Sequence, residues 1–362
     1  MERSDKRNGK SAVIKIILLL IALVLFLLSF SSFVAKGESC TAHIVIEQTT
    51  NRILYKYNAF KKMYPASTTK ILTAITVLEN CDTERIVQIP ACAVGVEGSS
   101  IYLKEGERYK ITDLLYGMML RSGNDAATAL AHIVGGSTKE FVKMMNSTAK
   151  KIGATSSLFK NPHGLHDDEH FTTAYDLALI TAYALSNDFF AAIVSAASYE
   201  FTKEDGSKGV FYNKNKMLGS FVGANGVKTG FTKRSGRCLV SSARRDNMQL
   251  ISVVLNESAM WDKSKQLLSD AFDNYSMRKV LGRGEIYRDT HNGELLSGSV
   301  LRSSFYPLTE DERKRIRYET CFFSENRGKC IGEIKAYLDN YLLFSQELYT
   351  ISLENSGGLY EN

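Results

Sequence analysis

The sequence predicts an α+β fold: an antiparallel sheet with helices on its faces, followed by a small all-β domain. Short β-rich runs stand near both ends of the first 280 residues, and a block of helical periodicity lies between them. After about residue 281 only short alternating runs follow. The most economical arrangement joins strands from both ends into one sheet, with the helical block as an insertion.

The first elements are a hairpin and a helix. Residues 41–47 and 52–57 are β-rich and are joined by a polar stretch, which is typical of a hairpin. A helix is expected to begin near Pro65, because proline is favoured in a first turn and an apolar pattern follows at helical spacing. That pattern consists of Ile71, Leu72, Ile75 and Leu78.

Further periodic segments fill the domain. Helices are expected over 111–120, 126–134, 141–152, 174–185 and 263–280, and strands over 227–231, 237–243 and 249–256. Residues 161–171 are rich in His, Asp and Gly. We expect a polar loop there rather than a metal site, because no second cluster of ligands supports one.

The region after residue 281 is expected to be a small β-sandwich-like domain over 281–355, followed by a tail at 356–362. Helical periodicity is absent from it. The β-rich runs are 285–287, 300–306, 316–323, 330–337 and 342–353.

Residues 1–37 are predicted to be a signal peptide or an N-terminal anchor. A basic start precedes an apolar block over 16–30, and Ala35-Lys36-Gly37 is a pattern that a signal peptidase can cut. An uncleaved anchor is the alternative, because the block is nearly long enough to span a bilayer. In either case the domain that begins near residue 38 is expected to be exported.

The charge is concentrated in this leader. The chain carries a net charge of +6, of which residues 1–37 contribute +4. The remaining +2 gives no reason to expect a nucleic-acid partner.

The six cysteines do not form a Cys-x-x-Cys motif, so a zinc site is not expected. An exported chain can form disulfides. Cys321 and Cys330 are the best candidates for a pair, because they flank a turn-like stretch at 324–328. Free buried thiols are the alternative for all six.

The helix that begins near Pro65 carries a possible nucleophile. Ser67 and Lys70 project from the same face one turn apart, so a hydroxyl and an amine are held side by side. Such an amine can take the serine proton only when burial or a neighbouring cation keeps it neutral. The spacing alone is a weak signal, since it recurs at Ser147, Ser157 and Ser276.

Two downstream tripeptides distinguish Ser67 from the other serines. Ser122-Gly123-Asn124 follows an apolar run, and Lys228-Thr229-Gly230 occurs once in the chain. Singly, Ser122 reads as a helix cap, Asn124 as a turn residue and Thr229 as a strand residue. The three motifs in this order favour a catalytic function instead.

The ordered set matches the motifs of penicillin-binding proteins and class A β-lactamases. Longer stretches resemble the low-molecular-mass D-alanyl-D-alanine carboxypeptidases of peptidase family S11, which are serine-type penicillin-binding proteins of the bacterial envelope. The stretches of this chain that carry the resemblance are residues 65–74, 122–127, 161–165, 173–178 and 225–232. The resemblance implies a β-lactamase/transpeptidase-like domain over 38–280. Residues 332–338 resemble the C-terminal β domain of the family, but 355–359 lack the amphipathic membrane helix of many members.

The resemblance implies a role for each motif residue. Ser67 would attack the substrate carbonyl, Lys70 would act as general base with Lys228 helping to keep it neutral, and Ser122 would relay a proton. Asn124 would hold the substrate amide. Lys228 and Thr229 would bind the substrate carboxylate, and Gly230 would allow the backbone to approach closely. The backbone N–H groups of Ser67 and Phe231 would form the oxyanion hole.

The implied substrate is a peptidoglycan stem peptide that ends in D-Ala-D-Ala, and β-lactam antibiotics would be covalent inhibitors. No metal or organic cofactor is implied. The implied location is extracytoplasmic, with membrane contact only if the N-terminal segment is retained.

Two alternatives remain open. A β-lactamase shares the three motifs, and class A members need a loop glutamate, for which Glu169 is the only acid of that type in the loop. A non-catalytic penicillin-sensing or wall-binding module is the other, although such a module would not need Ser67, Lys70 and Lys228 together.

Overall fold

The computed structural model describes residues 40–203, 206–291, 294–327 and 329–350. The predicted leader and the predicted tail lie outside these residues. Within them the strands are β1 (Ala42–Glu47), β2 (Ile53–Tyr57), β3 (Ile86–Gln88), β4 (Arg108–Lys110), β5 (Ser198–Thr202), β6 (Lys208–Tyr212), β7 (Ala224–Thr232), β8 (Gly236–Arg245), β9 (Met248–Leu255), β10 (Ser276–Leu281), β11 (Tyr287–His291), β12 (Glu294–Gly298), β13 (Ser304–Leu308), β14 (Ile316–Arg327), β15 (Cys330–Leu338) and β16 (Tyr341–Tyr349).

In the described part of the chain, six helices lie between β2 and β7, one follows β9, and a single helical turn follows β13. They are α1 (Lys70–Asn80), α2 (Ile111–Leu120), α3 (Asn124–Gly135), α4 (Thr138–Ile152), α5 (Ala174–Leu185), α6 (Asp188–Ser195), α7 (Met260–Asn274) and the single turn α8 (Glu310–Arg313). Short 3-10 turns span Ala66–Thr69, Ala91–Ala93 and Lys216–Gly219. Of the helices described, none is by itself long and apolar enough to cross a membrane; α5 and α6 meet that test only as a pair bent by 107°.

One antiparallel sheet is built from both ends of the first domain, as predicted. Its strands lie in the order β2-β1-β9-β8-β7, so β1 from the N-terminal hairpin pairs with β9 from the far end of the domain. This pairing leaves β7 at one edge of the sheet and β2 at the other.

Helices cover both faces of this sheet, because side chains alternate across a strand. Ile44 and Ile46 of β1 enter the larger core with α1, α2, α3 and α5, whereas Val45 enters a second core with α7. The expectation of a sheet with helices on its faces is confirmed.

The predicted helix over 263–280 is wrong at its end. Helix α7 stops at Asn274, Tyr275 is extended, and β10 begins at Ser276. Strand β10 pairs antiparallel with β13, so a long-range partner overrides the local helical pattern. The hairpin of β5 and β6 and the helix α6 were not predicted at all.

The C-terminal region is almost entirely β, as expected. Sheets β10-β13, β11-β12 and β14-β15-β16 surround a third core that contains Leu281, Phe322 and Ile334. The one-turn helix α8 is the exception. A separate domain beginning at residue 281 stays a prediction, and β10, which crosses that boundary, contributes Val280 and Leu281 to the third core.

The candidate disulfide between Cys321 and Cys330 is absent from the structure, in which both are free cysteines, as in the alternative of free thiols. The register of β14 and β15 places Cys321 opposite Glu333 and Cys330 opposite Arg327. A disulfide needs the two Cβ atoms close together, and this register separates them.

Arg52, in the β1–β2 hairpin, joins the first sheet to the C-terminal strands. Its guanidinium lies 5.3 Å from the ring centroid of Tyr275 and 5.0 Å from that of Tyr306. It also donates hydrogen bonds to the Pro307 carbonyl and to the Glu312 carboxylate. The Arg52 and Glu312 side chains are only 12% and 15% exposed, so solvent screens this pair weakly.

We expect Arg52→Ala to lower the free energy of unfolding by about 2–4 kcal/mol, because it removes two cation–π contacts and leaves the largely buried Glu312 carboxylate without its cation. Thermal and urea unfolding of the purified protein measure this. Arg315→Ala is the control, since its pair with Asp339 is half exposed and should contribute little. Equal losses in the two variants would contradict the importance of Arg52.

Candidate active site

Ser67 lies in a 3-10 turn rather than in the helix itself. The turn Ala66–Thr69 follows Pro65 and leads directly into α1, which begins at Lys70. Thr68 closes the turn by donating its backbone N–H and its hydroxyl to the Pro65 carbonyl, at 3.3 and 2.6 Å. Side chains three residues apart eclipse each other in a 3-10 turn, which brings Lys70 close to Ser67.

The amine of Lys70 is fully buried and surrounded by oxygen atoms. Its Nζ lies 3.1 Å from Ser67 Oγ, 2.6 Å from Asn124 Oδ1 and 2.7 Å from the His163 carbonyl oxygen. A neutral amine has two N–H bonds and one lone pair. It can therefore donate to Asn124 and His163 and still accept the proton of Ser67.

Electrostatics favour that neutral form. Burial, and next the ammonium of Lys228, hold the pKa of Lys70 well below its usual range, while the Asp125 carboxylate acts in the opposite direction. Burial, and then the nearby Lys214, lower the pKa of Lys228 to about 7. Two buried amines thus lie near each other in a region where a full positive charge on both is costly.

Ser122 lies at the turn between α2 and α3. It is buried, with 6% exposure, and its φ is +65°, a left-handed conformation that costs energy in a non-glycine residue. Asn124, two residues on, is the first residue of α3. Its amide Nδ2 donates to the Glu97 carbonyl at 2.6 Å, so both ends of the Asn124 side chain are hydrogen-bonded.

Strand β7 brings the third motif to the 3-10 turn. Lys228 is buried and donates to the Thr229 carbonyl at 3.1 Å, and Phe231 is 64% exposed. A Cβ atom at Gly230 would lie 3.1 Å from Ser67 N and from the Pro65 carbonyl oxygen. Strand and turn are therefore in close backbone contact at Gly230, next to the Ser67 N–H.

The loop 161–171 forms part of the same centre. His163 supplies its carbonyl oxygen to Lys70, and Thr73 of α1 donates to the Pro162 carbonyl at 2.6 Å. Gly164 has φ +85°, and a Cβ there would lie 1.8 Å from the Ala66 carbonyl oxygen. Only glycine fits where the loop crosses the 3-10 turn.

The structure thus brings the Lys70 amine into contact with Ser67 and Asn124, and it places β7 against the turn. Ser122 is buried two residues before Asn124 in the chain. Sequence reasoning missed His163, Asp125 and Lys214 as members of this centre. For His163 the signal was weak, because the contribution is a backbone carbonyl that any residue type supplies. The sequence predicts a polar loop over 161–171 and resembles the family over 161–165, but neither observation assigns a role to His163.

Glu169 does not join the centre. Its carboxylate is largely exposed and binds Lys160 at 2.8 Å on the surface of the loop. The loop acid that a class A β-lactamase needs is thus engaged in a surface ion pair here.

Known proteins share this architecture. The family model for D-alanyl-D-alanine carboxypeptidases, Peptidase_S11, matches residues 34–259. The chain is 32% identical over 283 residues to D-alanyl-D-alanine carboxypeptidase DacF of Bacillus subtilis, with 74% of this chain and 73% of the relative covered. It is 27% identical over 348 residues to DacA of Haemophilus influenzae, with 88% and 86% covered. The crystal structure of penicillin binding protein 5 from Haemophilus influenzae superposes with a TM-score of 0.71 at 26% identity, covering 85% of this chain and 95% of that one.

We expect Gly164→Ala to destabilise the protein by about 2–4 kcal/mol and to abolish reaction at Ser67, because the added Cβ collides with the Ala66 carbonyl beside the nucleophile. Urea unfolding measures the loss of stability, and covalent labelling by a fluorescent penicillin measures the reaction at Ser67. Gly136→Ala is the matched control, since Gly136 has φ +70° but open space around a Cβ. If both variants lose the same stability and keep labelling, the steric contact at Ala66 is unimportant.

Proposed function

The chain belongs to the D-alanyl-D-alanine carboxypeptidase family, and we propose that it removes the terminal D-alanine from peptidoglycan stem pentapeptides through an acyl-enzyme on Ser67. The family makes it a serine-type hydrolase. The observation that carries the proposal is the buried Lys70 amine, 3.1 Å from Ser67 Oγ and held by two other oxygen atoms.

Acylation begins when Ser67 Oγ attacks the carbonyl carbon of the penultimate D-alanine. Lys70 accepts the hydroxyl proton as the new C–O bond forms. The oxyanion is stabilised by the backbone N–H groups of Ser67 and Phe231, on the two segments that meet at Gly230. The contact there supports this assignment, since Gly230 allows the two segments to approach.

The C–N bond to the last D-alanine then breaks. Its nitrogen must gain a proton, and the proposed relay is Ser122, which is buried in the turn two residues before Asn124, the partner of Lys70. Asn124 holds the substrate amide and exchanges one of its present partners to do so. Water then attacks the ester and releases the shortened peptide.

Lys228 and Thr229 are proposed to bind the carboxylate of the leaving D-alanine. The exposed Lys214 adds positive charge near both amines, and this charge lowers the pKa of Lys70 and of Lys228. An anionic substrate end compensates this local excess of positive charge. A requirement for a free carboxylate follows, which is the specificity of an exopeptidase.

Three outcomes of one assay separate the candidate functions. The purified protein is incubated with a D-Ala-D-Ala peptide and, separately, with penicillin. Release of D-alanine with a long-lived penicillin adduct supports the proposal. Rapid penicillin turnover supports a β-lactamase, which the surface position of Glu169 disfavours, and no adduct supports a binding module.

The proposed partners are the peptidoglycan stem peptide and β-lactam antibiotics, which would acylate the same serine. The proposed place of action is outside the cytoplasm, where the cell wall is assembled. Membrane contact would depend on residues 1–37.

Ser67→Ala is expected to abolish covalent labelling by a fluorescent penicillin, because Ser67 Oγ lies 3.1 Å from the Lys70 amine that is proposed to take its proton. The readout is in-gel fluorescence of the purified variants. Ser147 and Ser276 also stand three residues before a lysine, and the variants Ser147→Ala and Ser276→Ala should be labelled normally. Labelling that survives in Ser67→Ala would move the nucleophile elsewhere.

Lys228→Ala is expected to lower kcat/KM on D-Ala-D-Ala peptides by more than tenfold, or more than about 1.4 kcal/mol, because a buried charge partner of the carboxylate is lost. The exposed Lys216 is the control, and Lys216→Ala should stay within about twofold. A Lys228→Ala variant with near-native efficiency would rule out the carboxylate role.

A further inference from the structure

Asp125, in the first turn of α3, has no role in the steps above, yet its carboxylate is among the most heavily hydrogen-bonded groups near the centre. It is 1% exposed. The carboxylate accepts from Ser100 Oγ at 2.6 Å, from the Ile101 N–H at 3.0 Å and from the Leu103 N–H at 3.1 Å. A fourth bond comes from Ala126 N–H in its own helix, at 2.9 Å. One buried side chain therefore ties residues 100–103 to the start of α3.

The adjoining residues 97–99 hold Asn124 in place. The Asn124 backbone N–H donates to the Ser99 carbonyl at 2.7 Å, and its side-chain Nδ2 donates to the Glu97 carbonyl at 2.6 Å. A Cβ atom at Gly98 would lie 2.8 Å from that Nδ2, so the segment is in close contact with the amide. The other end of this amide, Oδ1, accepts from Lys70.

These contacts form a chain from Asp125 to the general base. The carboxylate fixes residues 100–103, the adjoining residues 97–99 fix Asn124, and Asn124 orients the Lys70 amine. We propose that Asp125 is a positioning residue for acylation, acting through Asn124 and Lys70. This inference rests on the proposed function, because it assigns Lys70 as the base that activates Ser67.

Asp125 also acts on Lys70 by its charge. The groups that influence Lys70 come from four elements: Lys228 on β7, Lys214 before the 3-10 turn Lys216–Gly219, Asp125 on α3, and His163 in the loop 161–171. Burial, and then the Lys70 charge, lower the pKa of His163 to about 3, so this imidazole is neutral. Within this group Asp125 is the anion, and it stabilises the ammonium that Lys70 becomes when it takes the Ser67 proton.

Removal of the Asp125 charge should shift the pH dependence of acylation. Asp125 raises the pKa of Lys70, so its removal lowers that pKa further. The neutral base then persists to lower pH, and the acidic limb of the acylation profile moves to lower pH. At the same time the maximal rate falls, because Asn124 and Lys70 are less well held. A purely structural role would lower stability without moving the limb.

The test uses the whole protein and measures acylation by a fluorescent penicillin between pH 4 and 9. We expect the Asp125→Asn variant to be acylated about 100-fold more slowly than wild type at its optimum pH, because a displacement of the Lys70 amine by about 1 Å has a cost of this size. The acidic limb of its pH profile should lie at lower pH. Asp176→Asn is the matched control. Asp176 is also buried in a first helical turn and ties down a loop, accepting from Ser156 N–H and Ser157 Oγ at 2.7 Å each. It should remain within about threefold of wild type at every pH.

A second pair of variants guards against misfolding of Asp125→Asn. Ser100→Ala removes the 2.6 Å bond to Asp125 and should slow acylation about threefold to tenfold, while Ser157→Ala removes the equivalent bond to Asp176 and should not. Hydrogen exchange, read on the peptide that contains Ile101 and Leu103, should quicken in Ser100→Ala and Asp125→Asn only.

The inference is overturned if Asp125→Asn or Ser100→Ala has the same acylation rate, pH profile and hydrogen exchange as the wild-type protein. Losses in Asp176→Asn equal to those in Asp125→Asn also overturn it. A wild-type protein that forms no adduct and releases no D-alanine overturns the proposed function instead, so the two failures are distinguishable.

Discussion

The centre of this protein depends on the cost of burying two lysine amines close together. Neither amine can carry a full charge cheaply in such surroundings, so burial that would be a penalty elsewhere produces a neutral base. The oxygen atoms that receive the Lys70 amine belong to a hydroxyl, an amide and a backbone carbonyl. None of these carries a charge that would restore the ammonium. Among the described groups that act on Lys70, Asp125 favours the ammonium, and its carboxylate is hydrogen-bonded to residues 100–103.

This arrangement requires four distant segments to meet, and the sheet topology makes that possible. Pairing β1 with β9 closes the domain around its helical insertion, so α1 and β7 come to lie together. Two glycines then allow backbone to touch backbone. Gly230 lets β7 approach the Ser67 turn, and Gly164 lets the loop 161–171 cross it. The geometry of the nucleophile is thus set mainly by main-chain contacts.

Much of this was predictable from the sequence. The spacing of Ser67 and Lys70 indicates a shared face, and apolar periodicity locates the helices α2 and α5 to the residue. The 3-10 turn was not predictable, since the same apolar pattern fits an α-helical start. The His163 carbonyl leaves no mark in residue type. Strand β10 was misread because its partner, β13, lies more than twenty residues away and local patterns do not report such pairings.

The order of the sheet separates chemistry from attachment. The Arg52 contacts hold the C-terminal strands to the hairpin at the β2 edge, whereas the reacting groups gather at the β7 edge. Four strand spacings, about 19 Å, lie between these edges. The contacts that hold the C-terminal strands to the hairpin therefore lie far along the sheet from the reacting groups. Substitutions at the Arg52 contacts on the β2 edge therefore need not alter the reacting groups at the β7 edge.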